Sequence, residues 1–134
     1  MRATLYTDGG ARGNPGPAGA GAYAVTTEGR EIFRLKRFLG EITNNQAEYH
    51  ALIMGLSKLK VLRYKEVDVR MDSELVVRQL LGRYKIKSQN IQTLAHEALR
   101  LSQSFERTTF SHVPREKNQV ADDLVNEAID EATQ

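Results

Sequence analysis

Residues 43–72 read TNNQAEYHALIMGLSKLKVLRYKEVDVRMD, and the change of period inside this stretch decides the fold class. Leu52, Gly55, Leu56 and Leu59 recur at the three- and four-residue steps of a single helix face. Thr43 and Gln46, just ahead of them, have the spacing of a capping box, in which a hydroxyl and an amide satisfy otherwise unpaired backbone N–H groups. The spacing predicts a long helix from Thr43 to about Leu62. Val67, Val69 and Met71 then fall on alternate positions, which predicts a strand over Glu66–Met71, and Ser73–Leu81 returns to helical spacing. A strand reached through a long helix and followed by another helix reads as a βαβ step.

Working outward toward the N-terminus, Thr4, Tyr6 and Asp8 alternate with Ala3, Leu5 and Thr7. This predicts a first strand that ends at Asp8 and breaks into a tight turn at Gly9-Gly10-Ala11-Arg12-Gly13-Asn14-Pro15-Gly16-Pro17. Gly21–Thr27 and Glu31–Leu39 read as two further strands about the Glu28-Gly29 turn, giving an antiparallel meander. Toward the C-terminus, Ile91, Leu94, Ala95, Ala98 and Leu101 predict a helix over Ser88–Ser102. A strand follows around Glu106–Val113, stopped by Pro114, and a last helix starts near Asn118. The order fits an α/β protein with a mixed sheet and helices on its faces. At 134 residues and 40% hydrophobic content, one domain over 1–134 is expected.

Cysteine is absent, which removes disulfides, zinc–thiolate sites and thiol nucleophiles together. A bound metal would have to be held by oxygen or imidazole, and oxygen favours a hard ion such as magnesium or manganese. No secretory signal or membrane-length apolar run is visible, so a cytoplasmic location is expected. The net charge of +2 and pI near 9.0 suit a polyanionic partner without demanding one.

Among 17 acidic residues, four stand where an acid is unusual. Asp8 closes the first strand, where sheets with helices present ligand-binding groups; a turn aspartate bonded to its own backbone is the alternative. Glu48 shares a helix face with Leu52 and Gly55, so it is either a buried anion that needs a cation or a first-turn acid favoured by the helix dipole. Asp72 follows the Glu66–Met71 strand, either as a helix cap or, if that strand runs parallel to the first, as a neighbour of Asp8. Asp122 lies at the edge of the apolar stripe Ala121, Leu124, Val125 and Ala128, while Asp123 points away from it; a solvated flank is the alternative. Four such carboxylates suggest a shared cation site, and two divalent ions about 4 Å apart would suit phosphoryl transfer.

Tyr-Thr-Asp-Gly-Gly at 6–10, Gly-Asn-Pro-Gly-Pro at 13–17, Thr-Asn-Asn-Gln-Ala-Glu at 43–48, Asp-Ser at 72–73, His-Val-Pro-Arg-Glu-Lys-Asn at 112–118 and Ala-Asp-Asp-Leu at 121–124 resemble, in order and over nearly the whole chain, the type 1 ribonuclease H family. The resemblance implies a ribonuclease H-like fold with a five-stranded mixed sheet flanked by helices. It implies an enzyme that cuts the RNA strand of an RNA–DNA hybrid by two-metal-ion catalysis, leaving 3′-hydroxyl and 5′-phosphate ends. Asp8, Glu48, Asp72 and Asp122 would be its catalytic, metal-holding carboxylates, with Mg2+ as cofactor and Mn2+ as a substitute. Asn14, Asn44 and Asn45 would touch the minor groove, Thr43 a phosphate of the DNA strand, and backbone amides near Gly9 and Gly10 the 2′-hydroxyls. A related nuclease that also cuts double-stranded RNA, or a hybrid-binding module that does not cut, shares these features.

Two departures point to the archaeal-like subgroup. Arg115, seven residues before Asp122, stands where many relatives have a mobile histidine; it cannot act as a base but can attract phosphate and help product leave. His112 is read as a structural residue at a strand end. The basic, tryptophan-rich insertion of many relatives is missing, and Arg83-Tyr84-Lys85-Ile86-Lys87 is read as a solvated connection. The expected partner is hybrid duplex, bound by a monomer without membrane association.

Overall fold

The computed structural model describes residues Met1–Gln134. Its elements are β1 (Arg2–Ala11), β2 (Gly16–Thr26), β3 (Glu31–Ile42), α1 (Asn44–Val61), β4 (Glu66–Met71), α2 (Glu74–Leu80), α3 (Gln89–Ser102), β5 (Arg107–His112) and α4 (Gln119–Thr133). A short 3₁₀ turn, Arg115–Lys117, precedes α4. The five strands form one sheet in the order β3-β2-β1-β4-β5. The β3/β2 and β2/β1 pairs are antiparallel, whereas β1/β4 and β4/β5 are parallel, so the βαβ step expected from residues 43–72 is present. No helix is long and apolar enough to cross a membrane.

One face of the sheet carries α1, which buries Tyr49, Leu52, Leu56 and Leu59 against Leu5, Ala22, Ala24, Val67 and Val69, and α3 packs beside it. The other face carries α4, whose Ala121, Leu124, Val125, Ala128 and Ile129 are buried. The capping box of α1 is complete: the Thr43 hydroxyl accepts from Gln46 N–H, and the Thr43 N–H donates to the Gln46 side chain.

The structure corrects the expectation for the glycine-rich segment. β1 does not end at Asp8 but continues through Gly9 and Gly10 to Ala11, and β2 starts at Gly16 rather than Gly21. The pairs Asp8↔Gly21, Gly9↔Ala20, Gly10↔Gly19 and Ala11↔Ala18 extend the hairpin. Helices lie so close to this end of the sheet that only small residues fit between. A Cβ on Gly21 would stand 2.4 Å from the Ala121 carbonyl oxygen of α4, and one on Gly19 would stand 2.8 Å from that of Val125. Glycine here reports close packing of helix on strand, and the turn itself is confined to residues 12–15.

What does end at Asp8 is the pairing of β1 with β4, whose last partners are Thr7 and Met71. Beyond that point β1 runs on with β2 alone, and the edge that had faced β4 presents unpaired backbone groups on alternate residues. Side chains satisfy them. The Thr7 carbonyl accepts from the Asn118 amide at 2.9 Å, the Gly9 N–H donates to Glu48 Oε1 at 2.8 Å, and the Ala11 N–H donates to Asn44 Oδ1 at 2.8 Å.

Candidate active site

This split edge of β1 gathers the acids. Asp8 projects from β1, Glu48 reaches in from α1, Asp72 leaves the end of β4, and Asp122 comes from the first turn of α4. One carboxylate oxygen from each of Asp8, Glu48 and Asp72 lies within 4.8 Å of the other two. Asp122 stands outside this close group, on the lining of the same cleft. All four line an open cleft of about 470 Å³ with Arg12, Asn44, Arg115 and Asn126.

The bland alternatives for these acids fail on position. Glu48 lies in the second turn of α1, too far in to be a first-turn acid, and is only 7% exposed. Asp72 does not cap α2; Ser73 does, its hydroxyl accepting from Val76 N–H at 3.3 Å. Asp8 is buried within the sheet. Asp122 is half-buried, whereas Asp123 is exposed and takes a hydrogen bond from Gln119.

Packing anions this closely is electrostatically unfavourable, and their protonation reflects it. Burial, then the Asp72 charge and a hydrogen bond that protonated Asp8 donates to Asp122, push Asp8 up to about 8. Glu48 is raised well above the usual carboxylate range by burial first and by Asp8 and Asp72 next; the Gly9 N–H opposes this. Asp72 is also raised by burial, against the Asn118 hydrogen bond and the Arg115 and His112 charges, which hold it down.

The other expected residues fall around this cluster. Arg115, in the 3₁₀ turn, is largely exposed and places Nη2 3.7 Å from Asp122 Oδ1. His112 ends β5 and is exposed, so it is not a core residue. The Asn14 side-chain oxygen accepts from the Asn44 N–H at 3.1 Å, which ties the turn after β1 to the start of α1. Thr43 and half-buried Asn45 flank Asn44 at that helix start. The segment between α2 and α3 is short and its basic side chains are exposed, with the Arg78 guanidinium 5.4 Å over the Tyr84 ring.

Asn118 is a contributor that sequence reasoning missed. Its place at the end of the 112–118 block and ahead of the last helix suggests no role at the site, yet it is 1% exposed and bonds Thr7 and Asp72. Arg12 is another: it pairs with Asp130 at 2.6 Å and donates to Asn126 at 3.3 Å across the mouth of the cleft. No local period marks either residue, because both act through contacts more than 40 positions away along the chain.

Residues 6–128 match the family model described as "Reverse transcriptase-like". The chain is 38% identical to Ribonuclease HI of Halobacterium salinarum over 98% of its length and 66% of that protein's. It is 43% identical, over its whole length, to a bifunctional protein of Mycobacterium tuberculosis. It spans only 37% of that relative. The solved structure of LC11-RNase H1 in complex with an RNA/DNA hybrid superposes with a TM-score of 0.94 at 44% identity, covering 98% of this chain and 99% of that one. Motif order, sheet topology and these likenesses agree, and the chain belongs to the type 1 ribonuclease H family.

Proposed function

We propose that this chain is an endoribonuclease that hydrolyses the RNA strand of RNA–DNA hybrids at the Asp8, Glu48, Asp72 and Asp122 cluster, with Mg2+ as its ion and Mn2+ as a substitute. The observation that carries this reading is the convergence of three carboxylate oxygens within 4.8 Å, two of the residues being buried. A donor set made only of carboxylates, destabilised by its own repulsion, fits hard divalent cations. Two such ions would supply Lewis acidity, acidifying the attacking water and neutralising the departing oxygen, which yields 3′-hydroxyl and 5′-phosphate ends.

The residues of the chain do the rest. Asp8, Glu48 and Asp72 hold the ions, and Asp122 completes the set from the helix side. Arg115, permanently charged and exposed beside Asp122, draws the scissile phosphate toward the cluster and assists product release. Asn14, Asn44 and Asn45 present amides to the minor groove, and Thr43 meets a DNA phosphate at the start of α1. Backbone groups near Gly9 and Gly10, other than the Gly9 N–H that Glu48 already accepts, meet the 2′-hydroxyls of the cleaved strand. We further propose that residues 1–134 act as a single domain and as a monomer.

Cleavage of labelled hybrid, double-stranded RNA and double-stranded DNA in magnesium, manganese and chelator tests the assignment. Metal-dependent cutting of hybrid RNA alone supports it. Equal cutting of double-stranded RNA indicates a broader nuclease, and tight hybrid binding without cutting indicates a binding module. In the same assay Asp122→Asn is expected to reduce the rate by about tenfold or more, and Asp123→Asn to leave it within about twofold.

Titration of the cluster links pH to stability. Folded Asp8 keeps its proton to about pH 8, whereas the unfolded group releases it near its ordinary 3.8, so the folded state binds more protons between those values. The raised values of Glu48 and Asp72 act in the same direction. This contribution is full below about pH 4 and is lost as pH rises through about 8. In chelator the melting temperature is expected to fall by roughly 10 °C between pH 5 and pH 8, at ~1.4 kcal/mol per pK unit. Millimolar Mn2+ at pH 8 is expected to restore most of it; a melting temperature indifferent to both pH and metal would contradict the reading.

A further inference from the structure

We infer that Asn118 is a positioning residue for the carboxylate cluster: its side-chain amide fixes Asp72 against β1, while its backbone carbonyl anchors the turn that carries Asp122. The inference rests on reading the cluster as a divalent-ion site.

Asn118 is among the most deeply buried polar residues of the chain, at 1% exposure. Its Nδ2 donates to the Thr7 carbonyl at 2.9 Å and to Asp72 Oδ2 at 3.4 Å. Its own carbonyl accepts from the Asp122 N–H at 3.1 Å. Thr7 immediately precedes Asp8, so one residue links three strand and helix ends that each deliver an acid. An amide with two hydrogens is the neutral group suited to this place, because it serves a carbonyl and a carboxylate at once. Aspartate would add another anion, and an aliphatic residue would leave both acceptors unbonded in a buried setting.

The local geometry shows what the residue gives up. An asparagine before a helix ordinarily accepts from an N–H of the first turn, but the Asn118 side chain makes no such bond to α4. Its amide is turned inward to the open edge of β1, where β4 has ended and the Thr7 carbonyl has no strand partner. Orientation of a carboxylate by a neighbouring donor is how groups behind the direct ligands set the affinity of a metal site.

The test measures Mn2+ affinity by calorimetry, kcat and KM on hybrid, and melting in chelator, for the unsubstituted protein, Asn118→Ala and Asn118→Ser. Asn118→Ala is expected to weaken Mn2+ binding and to lower kcat by about tenfold to a hundredfold, with KM changed by about twofold or less. Asn118→Ser, which keeps one donor, is expected to fall between. A variant that melts earlier yet keeps unaltered Mn2+ affinity and kcat would show a structural role alone and overturn the inference. If Asn118→Ala does not fold cooperatively, the serine variant is judged by the same criteria. Failure of the unsubstituted protein to bind Mn2+ would overturn the ion-site reading itself, whereas equal binding by all three proteins would overturn only the role of Asn118.

Discussion

Asp8→Asn is expected to end cleavage of the hybrid and, in the same protein, to raise the melting temperature in chelator. The two effects share one cause. Asp8 is buried beside Asp72, and the charges of Asp72 and Asp122 both act on it. Asparagine keeps the size of the side chain and removes its charge, so the fold loses a repulsion without gaining a cavity. Replacing a residue behind a metal ligand typically reduces affinity or activity by 10- to 100-fold, and removing a ligand charge is expected to exceed that, giving a loss of at least about a hundredfold. Relief of ~2 kcal/mol of repulsion at pH 8 corresponds to a rise of roughly 5–10 °C in a chain of this size. Activity assays and thermal unfolding on one preparation read both. Full activity would remove Asp8 from the site, and a lower melting temperature would show that its charge is compensated in the metal-free protein.

Gly9→Ala is expected to destabilise the fold far more than Gly10→Ala, although the two glycines are adjacent. A Cβ on Gly9 would stand 2.2 Å from the carbonyl carbon and oxygen of Ala47 and 2.4 Å from the Glu48 N. Those are backbone atoms of α1 and cannot rotate away, so helix and strand must separate. A Cβ on Gly10 would meet only a Val125 methyl at 3.8 Å, an ordinary contact. Urea unfolding should therefore show a loss of about 3 kcal/mol or more for the first variant and less than about 1 kcal/mol for the second. The Gly9 substitution also pushes at Glu48, which accepts the Gly9 N–H, so cleavage should fall even under conditions where the variant remains folded. Equal stability of the two variants would mean that α1 yields more readily than this packing implies.

The sequence was most informative where periodicity and burial agree. Thr43 with Gln46, followed by the Leu52, Leu56 and Leu59 stripe, located α1 almost to its ends, and Val67, Val69 and Met71 located β4. The parallel pairing of β4 with β1, which brings Asp72 beside Asp8, was open in the sequence and is settled by the fold. The hairpin of β1 and β2 was not legible to its full length. Gly9, Gly19 and Gly21 look like breakers when only local conformation is considered, whereas their actual reason is the approach of α1 to Gly9 and of α4 to Gly19 and Gly21. Asn118 was hidden for a related reason: an asparagine before a helix has a sufficient local explanation, and its partners Thr7 and Asp72 are distant in the chain. The close grouping of Asp8, Glu48 and Asp72, with Asp122 at the rim, likewise required the fold.

An unpaired strand edge ordinarily invites another chain to pair with it, and the upper half of β1 is such an edge in the middle of a sheet. Here side chains of Asn118, Glu48 and Asn44 bond the Thr7 carbonyl and the Gly9 and Ala11 N–H groups, taking its alternate hydrogen-bonding positions in place of a strand. The same groups that build the site therefore leave no free donor or acceptor at these edge positions for a second chain to pair with. Glu48 matters here in a way that Asp8 does not: loss of the Glu48 carboxylate removes the acceptor that lies 2.8 Å from the Gly9 N–H. Substitutions at the two acids can be equally inactive and yet unequal in how readily the chain aggregates.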